Sequence, residues 1–209
     1  MNTRLIRPLA ALVITAGIAA PASAASPAQD TKPVKFGKTA TYEHASKWFT
    51  IDAPTAWSVK DTSKKGEEAI VTFSDATGNA AIVVDVFPVD KPYDQDDLST
   101  LLTNFIKSKF KTYKKFSVGK PKLQSDTLVG AFFKYDQPLG KLTIPMSGDS
   151  FIELHDDKMI ALVTYLIPTE QYKTAEKSAY AILNSIKVNP DASSSSSGDV
   201  ETIGDLTDY

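Results

Sequence analysis

The 209 residues include no cysteine, only two histidines and no arginine beyond position 7. Each absence removes a class of chemistry. Without cysteine there is no disulfide scaffold, thiol nucleophile, iron-sulfur cluster or cysteine-rich zinc site. Both arginines, Arg4 and Arg7, sit at the extreme N-terminus, and the rest of the chain sets 21 lysines against 25 acids. A nucleic-acid binder, with its basic excess and forked guanidinium contacts, is therefore not expected. No stretch reaches 18 consecutive apolar residues, so no membrane-spanning helix is expected in the mature chain. What is present, 42% apolar and 10% aromatic residues, is the composition of a globular core.

The two arginines precede a short apolar run over residues 8–20, and Ala22-Ser23-Ala24 places small residues where a signal peptidase cleaves. Residues 1–24 read as a signal peptide. That predicts an exported chain, periplasmic or secreted and soluble after cleavage, and the lack of a cysteine near the cleavage point predicts that it is not a lipoprotein. Residues 25–38, rich in Ala, Ser, Pro and Lys without apolar periodicity, read as a flexible lead-in. Residues 191–209 include five consecutive serines at 193–197 and carry five acids with no base. Such a composition does not bury enough surface to offset its ordering entropy, so a disordered tail is expected there. One nearly neutral domain is left over residues 39–190.

Within it the signal is mostly of strands. Trp48, Phe49 and Ile51 lead to Pro54, then Trp57 and Val59, which predicts a strand, a turn and a second short strand. Apolar runs at 69–74 and 80–87 are joined by Asp75-Ala76-Thr77-Gly78-Asn79, a hairpin in which Gly78 and Asn79 are expected to supply positive φ. Further strands are expected at 130–136, 150–155 and 159–167. The last two are separated by only three residues, which forces an antiparallel hairpin. Asp94 is placed to cap a helix bearing Leu98, Leu101, Leu102, Phe105, Ile106 and Tyr113 at helical spacing. A second helix is expected from Thr169 to Asn189-Pro190, aligning Tyr172, Ala175, Ala179, Ile182, Leu183 and Ile186. Two one-sided helices need a sheet to cover. The fold class expected is α+β, an α-β-α sandwich with a central antiparallel sheet flanked by helices.

The order Tyr42-Glu43-His44, Trp48-Phe49-Thr50-Ile51-Asp52-Ala53-Pro54 and Trp57 resembles the opening of the PsbP-like (Mog/PsbP/DcrB-like) superfamily. Tyr165-Leu166-Ile167-Pro168, followed by a helix closing on Ile182-Leu183-Asn184-Ser185-Ile186-Lys187-Val188, is similar to its end. The resemblance covers roughly residues 40–188 and is to a bacterial secreted member, with LpqN-type envelope proteins among the relatives. It implies the same layered fold, no shared catalytic apparatus and no cofactor, and mostly binding or assembly roles. Where the lipoprotein relatives carry an acylated cysteine, this chain has none.

Candidate reactive groups read weakly. Gly37-Lys38-Thr39 lacks the upstream glycine of a phosphate-binding loop, because that position holds Lys32. Gly148-Asp149-Ser150 lacks a nucleophile elbow's second glycine and reads as the end of a loop. His155-Asp156-Asp157 reads as a solvated hairpin tip, not a metal site. His44 reads as a surface or half-buried ring, and Asp85, inside an apolar run, as lying on a wetter sheet face. The strongest feature is basic: Lys107, Lys109, Lys111, Lys114, Lys115, Lys120 and Lys122, with no acid among them. The three- and four-residue spacing of Lys107, Lys111, Lys114 and Lys115 suggests neighbours on a helix surface. They form a candidate docking patch for an envelope protein or an anionic polymer or lipid headgroup, with Phe110 and Phe116 adding apolar contact. The function expected is therefore a non-catalytic binding or accessory factor of the cell envelope. The alternative is a carrier of an apolar or glycolipid small molecule in a cavity between sheet and helix.

Overall fold

A computed structural model describes residues 32–192. The expected leader, the first half of the lead-in and nearly all of the serine-rich tail lie outside the described residues. The strands are β1 (Thr39–Glu43), β2 (Phe49–Pro54), β3 (Ser58–Asp61), β4 (Ala69–Ser74), β5 (Ala81–Pro88), β6 (Lys114–Val118) and β7 (Lys122–Leu123), with helix α1 (Gln95–Phe110) between β5 and β6. Then come β8 (Leu128–Leu139), β9 (Leu142–His155), β10 (Met159–Pro168), a 3-10 turn (Thr169–Gln171), α2 (Tyr172–Leu183) and β11 (Lys187–Val188). Eight strands form an antiparallel sheet in the order β3-β4-β5-β10-β9-β8-β6, with β7 also paired to β8; β1, β2 and β11 form a separate three-stranded sheet. The architecture is α+β, as the sequence implies.

Strand β10 explains the layering. All ten of its residues are buried, and because side chains alternate between faces, a strand buried along its whole length must be covered on both sides. Met159, Ala161, Val163, Tyr165 and Ile167 enter one core, shared with Phe49 and Ile51 of β2 and with Ala175, Ala179 and Ile182 of α2. Ile160, Leu162 and Leu166 enter the other, against Leu98, Leu102, Ile106 and Phe110 of α1. One face is thus covered by α1, and the other by α2 together with the small sheet. Gly148 at the middle of β9 is needed where the α1-side core is tightest. A Cβ there would sit 2.5 Å from Phe133 Cζ and 2.9 Å from Leu166 Cδ2.

Helix α1 starts as its sequence predicts, with the Asp94 carboxylate accepting the Asp97 amide at 2.8 Å. Several expectations change. Gly148-Asp149-Ser150 is not a loop end; it lies inside β9, a fourteen-residue strand. The β4–β5 connection takes positive φ only at Gly78 (+71°), not at Asn79. Its shape comes instead from the Asp75 carboxylate, which accepts the Ala80 amide at 2.9 Å and the Thr77 hydroxyl at 2.6 Å. Helix α2 stops at Leu183, six residues before Asn189. The Ser185 hydroxyl donates to the Ile182 carbonyl (2.6 Å) and accepts the Asp52 amide (2.8 Å), drawing the chain onto β2, where Lys187 and Val188 pair as β11. Residues 32–38 are anchored, contrary to a flexible lead-in. Val34 and Phe36 pack on the core, the Trp57 indole donates to the Lys35 carbonyl at 2.9 Å, and Gln171 accepts the Val34 amide at 2.7 Å.

Candidate functional site

The seven lysines do not share one helix face. Only Lys107 and Lys109 belong to α1; Lys111 is its C-cap, Lys114 and Lys115 lie on β6, Lys120 follows β6, and Lys122 lies on β7. Lys114 stands opposite Asp136 and Lys122 opposite Gly130 on β8, a span of six residues or roughly 20 Å of strand. Lys114, Lys115, Lys120 and Lys122 therefore run along one edge of the main sheet, while Lys107 and Lys111 belong to the end of α1 that precedes it. Lys107, Lys111, Lys114, Lys115, Lys120 and Lys122 are exposed; Lys115 pairs with Asp136 at 3.0 Å. Lys109 is the exception. It is half-buried, its amine is held below the ordinary value by that burial, and the charges of Asp85 and Glu68 act to raise it again. Phe110 is buried and Phe116 packs against the α1 core, so neither contributes an apolar docking surface.

Asp85 does not lie on a wetter face. It is 6% exposed on β5, beneath α1, and its Oδ1 has no hydrogen-bond partner among the described residues. Burial, with the Glu68 charge adding to it, pushes its carboxyl up to about 7, against the opposing pull of Lys109 and Lys64.

His44 is likewise buried, at 5% exposure, stacked on Phe49 at the floor of a 650 Å³ cleft. Its Nδ1 meets the Ser46 hydroxyl at 2.7 Å and amide at 3.2 Å, while Nε2 faces the Ser63 hydroxyl at 2.9 Å and the Asp61 carboxylate at 3.3 Å. An Nδ1 that accepts an amide leaves the ring proton on Nε2, pointing at Ser63 and Asp61. Both hydroxyls are also engaged by backbone: Ser46 accepts the Trp48 amide and Ser63 the Ile70 amide. The cluster thereby locks the β1–β2 turn to the β3–β4 connection. Burial acts to raise the Asp61 carboxyl, but hydrogen bonds from Ser63 and His44 leave it below the ordinary value. His155 stands at a hairpin tip, with Nε2 3.4 Å from Glu153 and with Asp156 and Asp157 exposed. Among the described residues no cluster of His, Asp or Glu is arranged to hold a metal ion.

A groove of 490 Å³ lies between α2 and strands β8 to β10, where the carrier alternative expects a cavity, although sequence reasoning named none of its lining residues as a site. Gly130, Ala161 and Val163 leave the sheet low there, and Phe151 folds over Gly130, where a Cβ would come within 2.8 Å of the ring. Leu128, Leu183 and Ile186 form apolar walls; Gln124, Glu153 and Asn184 supply polar groups. Tyr180 lines the groove and donates to the Asp149 carboxylate at 3.3 Å, and Tyr172 donates to the same oxygen. Burial, reinforced by the Glu176 charge, holds the Asp149 carboxyl above its ordinary value although both tyrosines pull it down. Burial and the neighbouring Asp149 push the Tyr180 hydroxyl up to about 12. Tyr165, opposite Asp149 on β10, has a buried hydroxyl without a hydrogen-bond partner among the described residues. No motif marks the groove in the sequence, because its residues come from three strands, a helix and the segments after β7 and α2.

No protein-family model matches the chain, and no curated protein matches it. Solved structures do. The solution structure of cyanobacterial PsbP (CyanoP) from Synechocystis sp. PCC 6803 is similar at a TM-score of 0.52 and 13% identity, covering 78% of this chain and 100% of that one. Its fold is PsbP-like. Similarity also extends to the Saccharomyces cerevisiae Ran-binding protein Mog1p, at a TM-score of 0.46 and 9% identity, over 72% of this chain and 95% of that one. A Bacteroides thetaiotaomicron protein matches at a TM-score of 0.41 and 13% identity, over 74% of this chain and 49% of its own. At such identities the likeness to CyanoP establishes the PsbP-like fold alone. Among the described residues no helix of that fold is long and apolar enough to cross a membrane.

Proposed function

We propose that this chain is an exported, non-catalytic binding or accessory factor of the cell envelope, docking an acidic protein or an anionic envelope component. The observation that carries the reading is the lysine-bearing edge of the main sheet. Lys114, Lys120 and Lys122 are exposed along it, Lys107 and Lys111 are exposed at the end of α1 that leads to it, and no acid occurs between positions 107 and 122. Lysine ammoniums on flexible stems suit diffuse, salt-sensitive attraction better than the bidentate grip of one anion. The leader pattern supports export, and the absence of cysteine supports a free, unacylated chain. A pull-down from the native envelope in low and high salt tests the reading. Partners should be captured at low salt, released at high salt, and lost when those five lysines become glutamine; capture unchanged by both treatments would overturn it.

A second reading, carriage of a small apolar molecule, is favoured by the 490 Å³ groove between α2 and the sheet. Its volume falls within the range of small-molecule sites, and its lining combines an apolar body with a few polar groups.

A further inference from the structure

We propose that the groove between α2 and β8–β10 takes an amphipathic molecule whose polar head donates hydrogen bonds, an alcohol or an amine, and refuses one headed by a carboxylate or phosphate. This inference rests on the carriage reading of the groove and adds the chemistry of the head.

The floor and walls, Ala161, Val163, Phe151, Leu128 and Leu183, accommodate an apolar body. The head is decided by charge. Among the described residues that line the groove, Glu153 is the charged one. Asp149 lies two residues along β9 on the same face, roughly 7 Å away in strand rise from Phe151, and is joined to the groove through Tyr180. Glu176 adds its negative charge to that end. Ionised carboxylates only accept hydrogen bonds, so a hydroxyl or ammonium complements them, whereas an anionic head brought beside them is repelled. Lys122, opposite Gly130, and Lys187, next to Ile186, are both exposed and do not line the groove. The unpartnered Tyr165 hydroxyl, across the strand pair from Asp149, is a further polar group at the acidic end. Aromatic faces of Phe151 and Tyr180, packed edge to face at 5.9 Å, add attraction for a cationic head.

The test uses three probes with one apolar body: phenethyl alcohol, phenethylamine and phenylacetate, each titrated into the folded chain while backbone amide NMR shifts are followed at Val163 and Tyr180. The alcohol and the amine should bind in the groove at least roughly tenfold more tightly than phenylacetate, and Glu153→Gln should narrow that gap by strengthening phenylacetate. Three probes binding the groove equally would overturn the head-group inference and leave carriage standing. Absence of shifts from all three, or shifts confined to another surface, would overturn carriage and with it this inference.

Discussion

Asp85 shows how one side chain can oppose the fold that contains it. The carboxylate lies under α1 with an oxygen that has no hydrogen-bond partner among the described residues. The charged groups acting on it are Lys109 from α1 and Lys64 and Glu68 from the β3–β4 connection. Because its folded-state value is raised from 3.8 to about 7, the folded chain holds this proton more tightly than the unfolded chain. The Asp85 contribution therefore falls as pH rises from about 4 through 7, and the full penalty is present only above that window. Asp85→Asn should stabilise the protein at pH 8 by at most about 4 kcal/mol, since each tenfold change in proton affinity is worth ~1.4 kcal/mol, and the gain should vanish towards pH 4. Urea unfolding at the two pH values checks this; a gain that is the same at both would show that the carboxyl is not perturbed.

Among the elements, those with a local cause are the legible ones. Helix α1 begins at a capping aspartate and repeats its buried residues at every fourth position, Leu98, Leu102, Ile106 and Phe110, all readable without a partner. Asp94→Ala should cost about 1 kcal/mol of stability, seen as a lower denaturation midpoint with an unchanged slope; an unchanged midpoint would mean that the cap is dispensable. Strands β6, β7 and β11 are not legible. They are short, rich in lysine and mostly exposed, so neither apolar alternation nor propensity marks them. They exist because β8 and β2 present unpaired edges to them. Lysines on such an edge also discourage pairing with another chain, which gives the basic run a structural role alongside the proposed docking. The end of α2 is hidden for a related reason: Ile186 continues the helical pattern, yet the hydrogen bonds of Ser185 favour the strand.

For the whole molecule, the lead-in matters more than its composition suggests. Phe36 lies 5.3 Å from the Trp57 ring, and Trp57 is 6% exposed only while residues 34–36 cover it. A chain beginning at residue 39 should be less stable than one beginning at residue 25 by on the order of 2 kcal/mol, the burial of one large apolar side chain. Equal urea midpoints for the two would show that this cover adds nothing to the fold.

By itself the sequence determined the α+β class, the main hairpins, the start of α1 and the largely apolar run of β10, because periodicity and capping act between residues close along the chain. It also carried the PsbP-like resemblance that the fold of CyanoP matches. Only the tertiary structure decided that the lysines of β6 and β7 line a sheet edge, that Asp85 and His44 are buried, and that a groove with an acidic end opens beneath α2. Those outcomes depend on which strands become neighbours and which face each helix covers, and sequence spacing does not encode distances between residues brought together across a sheet.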